Sequence, residues 1–211
     1  MEHAGNYFKA GIGPGREQPD SRNLVAYQLQ VKLSASLEAR VRQEQDYALN
    51  RFGAAAFSEV SPELVLARFE AREDIEETML RWMHRIVGQQ EAFSVIINNY
   101  GSMPGYPLYL RVQDPRPFRE ITNGLRAIDG LLRNNDCSGL QVYHHPRLVV
   151  TRKISKKQEM EILLEFSGRL FREELEIEEL VLVKTLQEHG AATVVCRLML
   201  SPKGLKRTEI N

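Results

Sequence analysis

The chain has 211 residues, of which 43% are hydrophobic and 27% charged, a composition typical of a globular protein that can bury a core without disulfides or metal. Its 28 basic and 28 acidic side chains cancel to a formal net charge of zero. This balance excludes a polybasic protein that coats nucleic acid by charge alone. A site for a phosphate group must therefore be local.

Cysteine and histidine usage also excludes several kinds of site. Cys137 and Cys196 show neither a CxxC motif nor a zinc-like spacing to histidine, and no two histidines lie at ligand spacing on one helical face. We expect no metal and no other cofactor. The first 23 residues lack the apolar core of a signal peptide, and nowhere do about 18 apolar residues run together. We therefore expect a cytoplasmic protein that does not span a membrane.

The first half of the chain is predicted to alternate strands and helices. Residues 1–22 are interpreted as a flexible tail, because the glycine-rich stretch 11–15 lacks the preceding strand of a phosphate loop. Periodicity then predicts strands at 25–31, 64–69, 93–98 and 109–112, and helices at 34–52, 75–88 and 117–132. A Gly- and Pro-rich loop at 100–107 is predicted to be long enough to line a site.

The second half is predicted to repeat this plan. Strands are expected at 139–143, 148–154, 175–186 and 193–200, with a helix at 155–171. The acidic segment 172–179 is interpreted as a solvated strand edge or a turn, and charges there oppose edge-to-edge aggregation. The mixture predicts an α+β domain at 23–201, followed by a C-terminal tail at 202–211.

A repeated motif relates the two halves. The segments PELVLAR (62–68) and PRLVVTR (146–152) share the form Pro-x-Leu-Val-aliphatic-x-Arg, lie 84 residues apart, and each precedes an amphipathic helix. We interpret them as an internal duplication. Because strand residues two apart face the same way, we expect Glu63 and Arg147 on one face of their strands, and Arg68 and Arg152 on the opposite face.

In these two segments, and in the order of its elements between residues 23 and 200, the chain resembles the 2H phosphoesterases. This family includes 2′-5′ RNA ligases and RNA 2′,3′-cyclic phosphodiesterases. The resemblance implies two pseudo-symmetric lobes of antiparallel sheet, backed by helices, around a central cleft that carries one His-x-Thr motif per lobe. It further implies a nucleotide, an RNA end or another phosphate-containing molecule as the ligand.

The residues that carry catalysis in that family are replaced here. In His-x-Thr pairs, one imidazole accepts a proton while the other donates one, and the hydroxyls bind phosphate oxygens. Glu63 and Val65 stand at the first motif, and Arg147 and Val149 at the second. Valine offers a phosphate no hydrogen bond, and arginine stays protonated at neutral pH. The two-histidine mechanism cannot run with these residues, so both motifs are interpreted as degenerate.

Two hypotheses for the cleft involve no catalysis. In the first, Glu63 and Arg147 face each other as an ion pair and close a site that has lost its chemistry. In the second, Arg147 holds a nucleotide or other phosphate-containing ligand through charge-assisted hydrogen bonds. Val65 and Val149 would then line the ligand site, and Tyr106 would stack on a base.

A third hypothesis is a changed enzyme. Here the chain is a metal-independent phosphodiesterase acting on 2′,3′-cyclic phosphates or 2′-5′ linkages, with Glu63 as general base and His145 or His144 as acid. Both histidines directly precede the second motif. The other expectation for them is ordinary: a residue before proline is biased to an extended conformation, which would point one ring to solvent.

Overall fold

The computed structural model describes residues 24–53, 61–103, 106–151, 156–185 and 192–204. The strands are β1 (Leu24–Val31), β2 (Leu64–Arg72), β3 (Phe93–Met103), β4 (Tyr106–Val112), β5 (Gln141–Val142), β6 (Arg147–Thr151), β7 (Arg172–Ile177), β8 (Glu179–Thr185) and β9 (Thr193–Met199). The helices are α1 (Ala35–Phe52), α2 (Glu76–Gly88), α3 (Arg116–Gly124), α4 (Arg126–Asn134) and α5 (Lys156–Ser167), with a 3-10 turn at Glu73–Ile75 ahead of α2.

The strands form two antiparallel sheets whose strand orders correspond. The first sheet has the order β5-β2-β1-β8-β9 and the second the order β6-β4-β3-β7. Strand β2 begins at Leu64, the third residue of the first motif, and β6 begins at Arg147, the second residue of the second motif. Strand β2 pairs antiparallel with β1, and β6 pairs antiparallel with β4. The predicted α+β fold of two similar antiparallel lobes is confirmed.

The helices cross between the lobes. Helix α1 follows β1 of the first sheet but contacts β6 of the second, and α3 follows β4 of the second sheet but contacts β2 of the first. Helix α2 packs on β9, α3 and α4, while α5 packs on β3, β4 and α1. Apolar side chains from both sheets consequently join one continuous core cluster. Within the described residues, no helix is both long and apolar enough to cross a membrane.

Helix α1 has well-defined ends, and these fix its approach to the second lobe. Ser34 caps its start by accepting a hydrogen bond from the Leu37 amide at 3.2 Å. Gly53 ends it at a φ of 89°, a conformation that favours glycine. Between these ends, Gln45 Nε2 donates to the Val149 carbonyl of β6 at 3.1 Å. The helix therefore holds the second motif strand directly.

Strand β2 contains a β-bulge. Leu29 of β1 lies opposite Ala67, whereas the next residue, Gln30, lies opposite Val65. Leu66 is the extra residue, and it reverses the alternation of faces on either side of itself. The expectation that Arg68 faces away from Glu63 is therefore wrong, because a strict period of two does not hold across a bulge.

Strand β6 contains a bulge at the equivalent place. Tyr109 of β4 lies opposite Val149, and Leu108 lies opposite Thr151, which leaves Val150 as the extra residue. Val150 occupies the same position in PRLVVTR as Leu66 does in PELVLAR. The two motif strands thus share a local distortion as well as a pattern of residues. Arg152 lies outside the described residues.

Some predicted boundaries differ from the structure. The segment 100–107, predicted as a loop, is largely strand, because β3 continues to Met103 and β4 begins at Tyr106; Tyr100 has a packed ring, 4.8 Å from that of Phe166. The predicted helix 117–132 is two helices that meet at Leu125. Gly124 lets α3 approach α2 closely, since a Cβ there would stand 2.8 Å from the Ile86 side chain.

The predicted strand 175–186 is also two strands, which belong to different sheets. Only Glu178 separates β7 of the second sheet from β8 of the first. Strand β7 is an edge strand, as the acidic composition of 172–179 predicted. The predicted helix start at 155 lies outside the described residues, as does the segment 186–191 between the last two predicted strands.

A polar cluster fastens α1 to the second lobe. Glu44 of α1 accepts hydrogen bonds from Arg169, at 3.1 Å for both carboxylate oxygens, and from the Tyr100 hydroxyl at 2.8 Å. The Glu44 side chain is only 14% exposed. Removing the Arg169 guanidinium would leave the largely buried Glu44 carboxylate without its cation, which lowers the stability of the folded protein.

We expect Arg169→Ala to lower the free energy of unfolding by about 1.5–3 kcal/mol, the usual range for hydrogen bonds to a charged group. Urea denaturation measures the change. The matched control is Arg51→Ala, whose residue is 61% exposed and 3.9 Å from Glu165; it should cost less than about 1 kcal/mol. Equal losses in the two variants would contradict a special role for the Glu44 cluster.

Candidate functional site

The fold places the two motif strands next to each other. Strands β2 and β6 are in contact although they belong to different sheets. Glu63 immediately precedes β2, and Arg147 is the first residue of β6. Leu64 and Leu148, the residues after them, are fully buried in the core, so Glu63 and Arg147 lie on the open faces of their strands.

On the first lobe, Gln28 links an acidic and a basic side chain. Its Oε1 accepts from Arg68 Nε at 2.7 Å, and its Nε2 donates to Glu63 Oε2 at 2.9 Å and to Gln30 Oε1 at 2.6 Å. Because a guanidinium only donates and a carboxylate only accepts, these contacts fix the orientation of the Gln28 amide. Glu63 and Arg68 are thereby held on the same face by one residue.

The structure does not contain the ion pair that the first hypothesis placed between Glu63 and Arg147. Both residues are described, and Glu63 contacts Gln28 instead. The Arg147 guanidinium lies over the ring of Tyr109, with Cζ 5.0 Å from the ring centroid, and it donates to the sulfur of Met103. Each motif residue is thus held by its own lobe.

Arg147 has a second cation beside it. In the pairing of β4 with β6, Arg111 lies directly opposite Arg147. Like charges at directly opposed strand positions destabilise a sheet. Among the described residues no carboxylate forms an ion pair with Arg111, which is exposed. The second lobe therefore places two arginines side by side at the motif position.

His145 is bound to helix α3. Its Nε2 lies 2.7 Å from the Arg119 guanidinium, which can only donate, so Nε2 accepts and carries no proton. Burial lowers the pKa of His145 below its ordinary value of 6.5, and the charges of Arg119, His144 and Arg147 lower it further. The neutral ring is the form that this environment favours.

His144 also contacts α3. Its Nδ1 lies 2.8 Å from the Thr122 hydroxyl, which itself donates to the Phe118 carbonyl at 2.9 Å. Since a hydroxyl has one proton to give, His144 Nδ1 is assigned as the donor. Both histidines consequently hold the start of β6 against α3.

The remaining predicted ligand contacts are two valines and a tyrosine. Val149 is 8% exposed and lies outside the main core cluster, on the open side of β6. Val65 is half-buried beside Gln30. The Tyr106 side chain lies outside the described part of the chain. The two valines supply apolar surface and no side-chain hydrogen bond to the open faces.

The sequence did not single out Gln28, Gln30 or Arg111. Gln28 and Gln30 are the polar positions of an alternating strand, so the period-two pattern contained the signal that they share a face. Val183 and Val181 lie opposite them on β8, and both are 7% exposed outside the main core cluster. Glutamines and valines thus form the middle of this open face.

A depression of about 390 Å³ lies on the same face of the first sheet. Its walls include side chains from β1, β2, β5 and the end of β8: Gln28, Arg68, Glu70, Ser138, Gln141 and Thr185, where Ser138 lies just before β5. Among the described residues, no three histidine, cysteine or acidic side chains come together as a metal site would require.

Comparisons with known proteins bear on the fold. No family model and no curated protein matches this sequence. Among solved structures, TT0787 of Thermus thermophilus is similar, with a TM-score of 0.61 at 19% identity, and the match covers 84% of this chain and 99% of that one. E. coli LigT is similar in its 3′-AMP complex (TM-score 0.58, 16% identity, 84% and 98% coverage) and in its NADP+ complex (TM-score 0.57, 18% identity, 84% and 99% coverage). At these identities the similarity establishes a LigT-like fold.

We expect the pKa of His145, followed by its ring proton shifts in NMR, to lie below 6.5 in the folded protein. Arg119→Gln should raise this pKa, whereas Arg126→Gln, at an exposed position on α4, should leave it unchanged. Because folding lowers the pKa, protonation of His145 favours the unfolded chain, so its contribution to stability is lost as the pH falls below about 6.5. A pKa above 6.5 would contradict the assignment of Nε2 as an acceptor.

Proposed function

We propose that this chain belongs to the 2H phosphoesterases and that its cleft binds a phosphate-containing ligand, such as a nucleotide, without turning it over. The ligand's phosphate contacts the open face of the second lobe at Arg147. The degenerate motifs are the reason for the missing turnover. The proposal takes up the second of the hypotheses drawn from the sequence.

The main support for this proposal is that Arg147 of β6 lies directly opposite Arg111 of β4. Opposed positions on β4 and β6 put the two arginines on the same face of the sheet, and an anion bound near them offsets the repulsion between like charges. Guanidinium groups bind phosphate through paired, charge-assisted hydrogen bonds. Tyr109, which lies under the Arg147 guanidinium, helps to hold that group in place.

The side chains at the motif positions do not support acid–base catalysis. Glu63 can accept a proton, but a phosphodiesterase also needs an acid for the leaving group. His145 has a lowered pKa and an unprotonated Nε2, which argues against it as that acid. Val65 and Val149 lack hydroxyl groups for phosphate oxygens. Binding without catalysis therefore fits these residues better than a changed enzyme.

Two further observations support membership of the family. The bulges at Leu66 and Val150 fall at the same position of the two motifs, which is what an internal duplication would leave behind. Structures of similar fold, E. coli LigT among them, hold ATP and phosphate as well as the two nucleotides named above. A phosphate-containing ligand in this chain is consistent with the equivalent bulges and with the ligands bound by structures of similar fold.

We expect isothermal titration calorimetry to detect binding of 3′-AMP or ATP, and Arg147→Met to weaken it by about 10- to 100-fold, the worth of a charge-assisted hydrogen bond. The control is Arg85→Met, which removes an exposed arginine from α2 and should leave the dissociation constant unchanged. No binding of either nucleotide or of phosphate by the unsubstituted protein would refute the proposal.

The same protein should show no turnover of a 2′,3′-cyclic nucleotide or a 2′-5′-linked dinucleotide in the presence of EDTA. Chromatography of the products over several hours measures this. Metal-independent turnover that is abolished by Glu63→Gln or His145→Ala would contradict a degenerate cleft and establish the changed enzyme instead.

A further inference from the structure

The depression on the first lobe presents opposite charges side by side. Arg68 and Glu70 lie two residues apart on β2, beyond the bulge, and both line the depression. Residues two apart in a strand point to the same face, with their backbones about 6–7 Å apart. Despite this, the described contacts contain no ion pair between them. Both charges are therefore available to a third group.

The position of the Arg68 guanidinium is set by its neighbours. Its Nε donates to Gln28 on one side, and Gln141 of β5 lies opposite it on the other side. The ring of Tyr143 lies beneath it, 5.9 Å from Cζ. Nε has a protein acceptor, whereas the described contacts give none to the two terminal nitrogens. A positioned guanidinium with free terminal nitrogens is suited to bind a carboxylate or phosphate.

The backbone that carries Glu70 is also fixed. Ser138 Oγ accepts from the Glu70 amide at 2.8 Å and donates to the Glu70 carbonyl at 3.2 Å. This pair of contacts ties the segment ahead of β5 to β2 and forms one wall of the depression. The Glu70 side chain remains exposed, so its carboxylate can contact a cationic group of a bound molecule.

The balance of charge around the depression selects among ligands. Among the lining side chains, Arg68 contributes one positive charge and Glu70 one negative charge. A molecule that carries only negative charge, such as a polyphosphate, is attracted by Arg68 but repelled by Glu70. A molecule with one anionic and one cationic group satisfies Arg68 and Glu70 together. The volume of about 390 Å³ lies in the range of small-molecule sites.

We propose that this depression binds a small zwitterion, with the anionic group on the Arg68 guanidinium and the cationic group on the Glu70 carboxylate. Gln28 acts as the positioning residue, because it holds Arg68 and Glu63 in fixed relation. The site does not depend on the phosphate site at Arg147, which lies on the other sheet. The two can therefore be tested separately.

The experiment uses ω-amino acids as probes, followed by NMR chemical shifts of the full chain. Glycine, β-alanine, γ-aminobutyrate and 6-aminohexanoate vary the spacing between the charges. Propionate and propylamine are single-charge analogues of β-alanine, and the other members have equivalent analogues. We expect at least one zwitterion to bind ten times more tightly than both of its analogues, with shifts at β1, β2 and β5.

Three variants complete the test. Glu70→Gln, at an exposed position, should remove the preference for the zwitterion over the carboxylate analogue, and Arg68→Met should remove binding of both. Arg147→Met should change neither the preference for the zwitterion nor the binding of the zwitterion and its carboxylate analogue. Thermal unfolding of each variant shows whether it is folded. If no zwitterion binds better than its analogues, or if Glu70→Gln retains the preference, the proposal is overturned, and the phosphate site at Arg147 is unaffected by that result.

Discussion

The bulge in each motif strand is the constraint on which the open faces depend. One extra residue, Leu66 in β2 and Val150 in β6, changes which side chains lie on the face that carries the motif. In β2 it adds Arg68 to the face of Glu63, and Gln28 then joins them. Without the bulge, Arg68 would point into the apolar core, where an unpaired guanidinium is too costly to bury. An arginine at position 68 thus requires the bulge at Leu66, which turns its side chain to the open face.

The two lobes share a backbone plan but differ in charge. The second lobe places Arg147 opposite Arg111, whereas the first lobe alternates Glu63, Arg68 and Glu70 around neutral glutamines. In a symmetric two-histidine site the lobes share one proton-transfer task. Here the pseudo-symmetric frame carries two different electrostatic environments, one suited to anions and the other to mixed charge. Val65 and Val149 add apolar surface to these two faces.

The sequence predicted most of the architecture because the signals for it are local. The apolar spacing of α1, the alternation in β1 and the repeated motif each act over a few residues, and the strands and helices that they indicate are present. The errors in the strands came from pairing between distant segments. A bulge depends on the partner strand, so Leu66 gives no local sign of it. Likewise, Glu178 resembles its acidic neighbours, and only the pairing of β7 with β3 and of β8 with β1 shows the break.

Because only Glu178 separates β7 from β8, the chain passes directly from the second sheet back to the first. This order of strands affects how the protein folds. The first sheet joins β1 and β2, from near the start of the chain, to β8 and β9, from near its end, and the whole second sheet lies between them in sequence. A pair of strands alone is at best marginally stable, so β1 and β2 must wait for β8 before the sheet is secure. Such long-range pairing slows folding. During synthesis the second lobe can assemble first, and the first lobe closes only when β8 and β9 have emerged.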